Sequence, residues 1–243
     1  MNIRTLAPLV AIAGAILASP PTAGQAAQAP SPDQVVAQLK QNLADSAKRL
    51  RQYEWVETTV ISLKGEEKAR KQQRVYYGAD GKLMKVPMGA APAKEAPPDR
   101  GGRRGRVAER VVENKKDDMQ DYMEQAVALI QKYVPPNADA IQKAKDAGKM
   151  TVTPPKEGIL RVEFRDFVQP SDQLAIAVDA KALLLSAVNV ATYIEKPEDS
   201  VTLDVRFGRL TDGTSYSANT TLAAKAKNIT VAIENSGHRP MGK

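Results

Sequence analysis

The chain has 243 residues, no cysteine, one histidine and a formal net charge of +7. Without cysteine it has neither a disulfide framework nor a thiolate nucleophile, and one histidine is too few for a His/Cys zinc site. Its length and 42% hydrophobic content suffice for one sizeable core.

Arg4 and the apolar run from Leu6 to Ala18 precede the small residues Ala23, Gly24, Ala26, Ala27 and Ala29. This is the layout of an export signal over residues 1–29, cleaved near 26–29. The apolar run is shorter than the roughly 20 residues of a spanning helix. Export without disulfides fits a soluble bacterial periplasmic protein. No cysteine is available to carry the lipid of a lipoprotein. Residues 30–236 are expected to form a single domain, and 237–243 a flexible tail.

Ser31, Pro32 and Gln34 form a helix-start signature. Val36, Leu39, Leu43, Ala47 and Leu50 then recur at three- and four-residue spacing, which predicts a helix ending near Arg51. From Tyr53 the pattern changes to β-branched and aromatic residues. Strands are predicted over Tyr53–Leu63, Lys68–Tyr77 and Lys82–Val86, with turns at Gly65 and at Gly78–Gly81.

Residues 87–106, rich in Pro, Gly and Arg, read as a disordered insertion. The stretch from Lys94 to Lys116 holds eight basic and four acidic residues, so a net +4 of the total charge is local. Met119, Tyr122, Met123, Ala126, Leu129, Ile130 and Tyr133 then mark an amphipathic helix stopped by Pro135 and Pro136. Asn137 opens a shorter helix carrying Ile141 and Ala144 and closed by Gly148.

The last third alternates with period two. Leu160, Val162 and Phe164 are followed by Leu174, Ile176 and Val178, then Val188 and Val190, then Val201, Leu203, Val205 and Phe207. Tyr216 to Leu222 and Ile229 to Ile233 close the series. Such alternation is the habit of antiparallel sheets with unlike faces. The expected class is α+β. It consists of eight or nine antiparallel strands in a strongly curved, unclosed half-barrel, covered on one face by the N-terminal helix and two central helices.

Residue supply sets aside most catalysis. Nucleophilic triads need a histidine held in the fold, and His238 falls in the expected tail, where it reads as a solvated residue. No phosphate loop or calcium loop is present. The chain reads as a non-enzyme without metal or cofactor. One charged motif stands out: Arg100, Arg103, Arg104 and Arg106 lie together without an acid between them. Guanidinium groups pair bidentately with phosphate, so this segment is a candidate for anionic envelope surfaces. Nucleic acid is disfavoured by export.

The order of elements resembles the periplasmic lipoprotein-carrier (LolA/LolB-like) family. It comprises an export signal, an amphipathic helix, a first strand entering at Tyr53-Glu54-Trp55, helices between β segments and a long antiparallel meander. That resemblance implies an unclosed barrel lidded by helices around an apolar cavity for acyl chains. The resemblance carries over no binding residues; from the residues themselves, the candidates to line a groove between sheet and helices for a lipid or acyl chain are Trp55, Val60, Met84, Met119, Met123, Phe164 and Val205. The alternative is an envelope adaptor that docks anionic lipid, lipopolysaccharide or a protein through the arginine-rich loop.

Overall fold

The computed structural model describes residues 32–89, 118–134 and 138–242. Helix α1 spans Pro32–Leu50, with Lys48 and Arg49 in its last turn, where positive charge suits the helix dipole. Residues 118–130 form α2 and Ala138–Asp146 form α3. The α3 helix ends in a Schellman motif. Gly148 takes φ +67°, Lys149 N donates to Ala144 O (2.8 Å), and Gly148 N donates to Lys145 O (3.0 Å). No helix among the described residues is long and apolar enough to cross a membrane.

Ten strands form one open antiparallel sheet. They are β1 (Tyr53–Leu63), β2 (Glu66–Tyr77), β3 (Leu83–Pro87), β4 (Met150–Lys156), β5 (Ile159–Arg165), β6 (Gln173–Asp179), β7 (Leu184–Tyr193), β8 (Ser200–Arg209), β9 (Ser215–Ala224) and β10 (Ile229–Pro240). The order is β3-β2-β1-β10-β9-β8-β7-β6-β5-β4. The β1–β2 turn places Lys64 and Gly65 at φ +54° and +82°. Positive φ at both turn residues matches the twist of the flanking strands.

Two elements depart from the sequence expectation. The tenth strand is β4, which contains Pro154 and Pro155. It is tolerated because β4 is an edge strand whose pairing with β5 is irregular between Thr153 and Lys156. The other is β10, which runs through residues 237–240, so Pro240 pairs with Tyr53 and Arg239 with Glu54. The segment expected as a tail is therefore sheet as far as Pro240, and His238 is a strand residue.

Register defines the two faces. A row of apolar side chains crosses eight strands through Met150, Phe164, Leu174, Val190, Leu203, Leu222, Val231 and Ile61. Adjacent positions point to the other face, where Asp204, Arg206 and Asn219 are exposed. Tyr122, Ala126, Leu129 and Ile130 of α2, Tyr133 just beyond it and Ala144 of α3 are buried in one cluster with the row from Met150 to Val231, whereas Ile61 at the far end of the row is exposed.

The α1 helix is held differently. Asn42 Nδ2 donates to the carbonyls of Ala182 (3.1 Å) and Leu183 (2.9 Å) in the β6–β7 turn. Arg49 Nε donates to Thr214 Oγ1 (3.0 Å), and buried Ser46 accepts from Ser215 N (3.2 Å). Among the described residues, none of α1 belongs to the core cluster. It ties together the β6–β7 and β8–β9 turns.

Candidate functional site

The candidate site is the apolar face and the segment that fills it. Amphipathic spacing turns Tyr122, Ala126 and Leu129 toward the sheet, while Met119 and Met123 lie half-buried against the same cluster. Methionine suits such a margin because its unbranched thioether repacks at low cost. Two tyrosines fasten the segment at its ends. Tyr122 Oη donates to Asp199 Oδ1 in the β7–β8 turn, and Lys227 Nζ sits 5.7 Å from the Tyr122 ring centroid.

Tyr133, fully buried, donates to Asp172 Oδ2 (2.6 Å) and shares a hydrogen bond with Thr192 Oγ1 (2.8 Å). Asp172 also accepts from the backbone N–H groups of Phe167, Val168 and Gln169. The carboxylate is thus satisfied from two sides, as a buried charge requires. Burial, reinforced by these carboxylates, raises both tyrosines well above the ordinary phenol range. They are neutral donors at any physiological pH.

Beyond β10 the same face changes character. Trp55 is buried, donates from Nε1 to Asn235 Oδ1 (3.0 Å), and stacks on His238 at 5.5 Å between ring centroids. Tyr216 lies 4.0 Å from His238 on its other contact. Burial lowers the His238 imidazole below its ordinary value. Lys85 Nζ donates to the buried Glu57 carboxylate at 2.7 Å.

The sequence-derived groove residues do not converge on one pocket. Phe164 and Val205 are buried in the core cluster with Met119 and Met123 beside them. Trp55 is on the same face but six strand spacings from β5, about 29 Å along the sheet. Val60 pairs with Ala232 and Arg70, and Met84 pairs with Tyr76; both point to the opposite face, where Met84 is exposed. Arg100, Arg103, Arg104 and Arg106 lie outside the described residues. The Tyr133–Asp172 bond was not foreseen, since it joins residues 39 positions apart that only the fold brings together. A cavity of about 400 Å3 lies at the strand ends beside Lys64 and Lys225, away from these groove residues.

The described residues define an α+β fold: an open ten-stranded antiparallel sheet whose apolar residues share one buried cluster with residues of α2 and α3. No known family model matches this chain, and no curated protein matches it. Among solved structures, a DUF1329 family protein from Desulfovibrio piger is similar at a TM-score of 0.40 and 14% identity, over 85% of this chain and 92% of that one. A LolA superfamily protein from Nitrosomonas europaea is similar at a TM-score of 0.35 and 9% identity, over 84% and 94%.

Proposed function

We propose that this chain is an exported, non-enzymatic periplasmic protein that binds an apolar or lipid-like ligand between its sheet and α2. One observation supports the reading above others. The apolar row from Met150 to Val231, across seven strands, shares one cluster with a short helical segment that has adaptable methionines at its margin, and among the described residues no second sheet covers it. Phe164, Val205, Met119 and Met123 are the residues placed to meet a ligand; Trp55 belongs to a separate aromatic stack on the same face. Residues of α2 lie in the same buried cluster as the apolar row, so loading requires α2 to yield.

Native mass spectrometry of the mature protein, purified gently from a periplasm and followed by organic extraction, tests this directly. A stoichiometric lipid-like adduct supports the reading. A clean apo mass, together with no saturable binding of a fluorescent C16 fatty-acid probe, overturns it.

A further inference from the structure

The polar face of the sheet holds a second feature, independent of the proposed carrier site. Thr202 on β8, Ala223 on β9 and Thr230 on β10 are register partners and form one row. Successive residues of a strand point to opposite faces, which places this row behind Val201, Leu203, Leu222 and Val231. The small Ala223 between two threonines leaves a depression. At the strand ends it widens into the cavity of about 400 Å3, reached by Lys64, Ser200, Lys225 and Asn228. Two backbone bonds fix its rim: Lys64 N donates to Asn228 O (2.8 Å) and Lys225 N donates to Ser200 O (2.9 Å).

The chemistry of this lining is one-signed. It carries two ammonium groups and no carboxylate. Of the acids nearest in sequence, Glu66 pairs with Lys68, Glu67 with Arg70, Asp199 with Tyr122 and Asp204 with Asn189; Glu198 is outside the lining. Among the described residues, the side chains of Lys64, Lys225, Ser200, Thr202, Asn228 and Thr230 have no hydrogen-bond or ion-pair partner. Two cations, three hydroxyls and an amide therefore line one concavity with their donors uncommitted. Charge-assisted bonds to an anion are the strongest they can make. A phosphate group, with three or more acceptor oxygens around one centre, uses this many donors better than a carboxylate does.

We infer that this cavity is a binding site for a phosphate-bearing group, either a soluble phosphate ester or the headgroup of an anionic phospholipid. Titration calorimetry of the full mature chain with inorganic phosphate at low ionic strength tests it. Saturable one-to-one binding is expected. It weakens about tenfold or more in Lys64→Ala/Lys225→Ala, and about threefold in Thr202→Val, which removes a donor without changing charge. Circular dichroism melts confirm that both variants fold.

Co-sedimentation with phosphatidylglycerol vesicles, against phosphatidylcholine vesicles, separates the two sources. Weaker vesicle binding by the double-lysine variant assigns the headgroup. Unchanged vesicle binding with lost phosphate binding assigns a soluble ester. Absence of phosphate binding in the wild-type chain, or equal binding by both variants, overturns the inference. Binding of the C16 probe involves the opposite face and is expected to be unchanged in these variants, so the two proposals fail separately.

Discussion

Tyr133→Phe isolates the fastening of the helical segment with a change of one oxygen. The variant keeps the ring in the core and removes the bond to Asp172 at 2.6 Å. Asp172 retains its three backbone donors. Thr192 Oγ1 retains the Gln169 Nε2 donor at 2.9 Å. The loss is at least the hydrogen bond to the charged group, about 2 kcal/mol; the buried Thr192 hydroxyl, which donates to Tyr133 Oη because the phenol proton goes to Asp172, also loses its acceptor and adds to it. For a chain of this size the hydrogen bond alone corresponds to a Tm lower by about 4–8 °C. A thermal melt followed by circular dichroism measures it. The same change loosens α2 from the sheet, so affinity for the C16 probe is expected to rise several-fold while Tm falls. A Tm within about 1 °C of wild type, where 4–8 °C is expected, refutes the hydrogen-bond argument. A lower Tm with weaker probe binding refutes the view that α2 must yield.

Two further outcomes follow from the aromatic stack. Burial holds the folded His238 pKa below its ordinary value, so the unfolded chain takes up the proton first as pH falls through about 6.5. Stability is complete above that value and is lost below it until the folded ring also protonates. Between about pH 7.5 and pH 5, the wild-type Tm should fall more than that of His238→Phe; parallel curves would rule the mechanism out. In Gly208→Ala, the new Cβ would lie 2.8 Å from Tyr216 Cζ and 3.0 Å from its Cε1. The Tyr216 ring must swing off His238, costing about 1–3 kcal/mol and part of the near-ultraviolet dichroism. An unchanged aromatic signal would count against that packing.

How much of this was legible in the sequence differs by element. The strands of the last third were, because one face is apolar and the alternation of Val201, Leu203 and Val205 with Thr202 and Asp204 has no competing reading. The β4 strand was not, because Pro154-Pro155 signals a break unless the strand is known to be an edge. The end of β10 was hidden by Gly237, Arg239 and Pro240. Pairing of β10 with β9 stops at Glu234, while pairing with β1 continues to Pro240, so Pro240 needs no donor on its β9 side. The amphipathic face of α2 was plain from spacing. The groove residues fared unevenly because apolar type alone does not give strand parity. Ile61 and Val60 look alike in sequence, yet only Ile61 belongs to the row that crosses the sheet. The phosphate-type cavity was invisible, since its residues come from three separate turns and strands.

The carrier proposal has an energetic condition that sets the ligand's size. Tyr122, Leu129, Ile130 and Tyr133 are all buried in one cluster with residues of the sheet. Fully burying one large apolar side chain contributes about 1.5–3 kcal/mol, so four of them hold the segment by about 6–12 kcal/mol. A ligand that displaces α2 must replace this at about 0.8 kcal/mol per buried methylene, which takes about 8–15 methylenes. Short chains then leave the segment in place, whereas long acyl chains can displace it. In a series of C8, C12 and C16 fatty-acid probes, affinity should rise steeply over this range, and Tyr133→Phe should shift the rise toward shorter chains. If the C8 probe binds as tightly as C16, or if the variant does not move the dependence, ligands are taken up without displacing α2, and the apolar face is a permanent core.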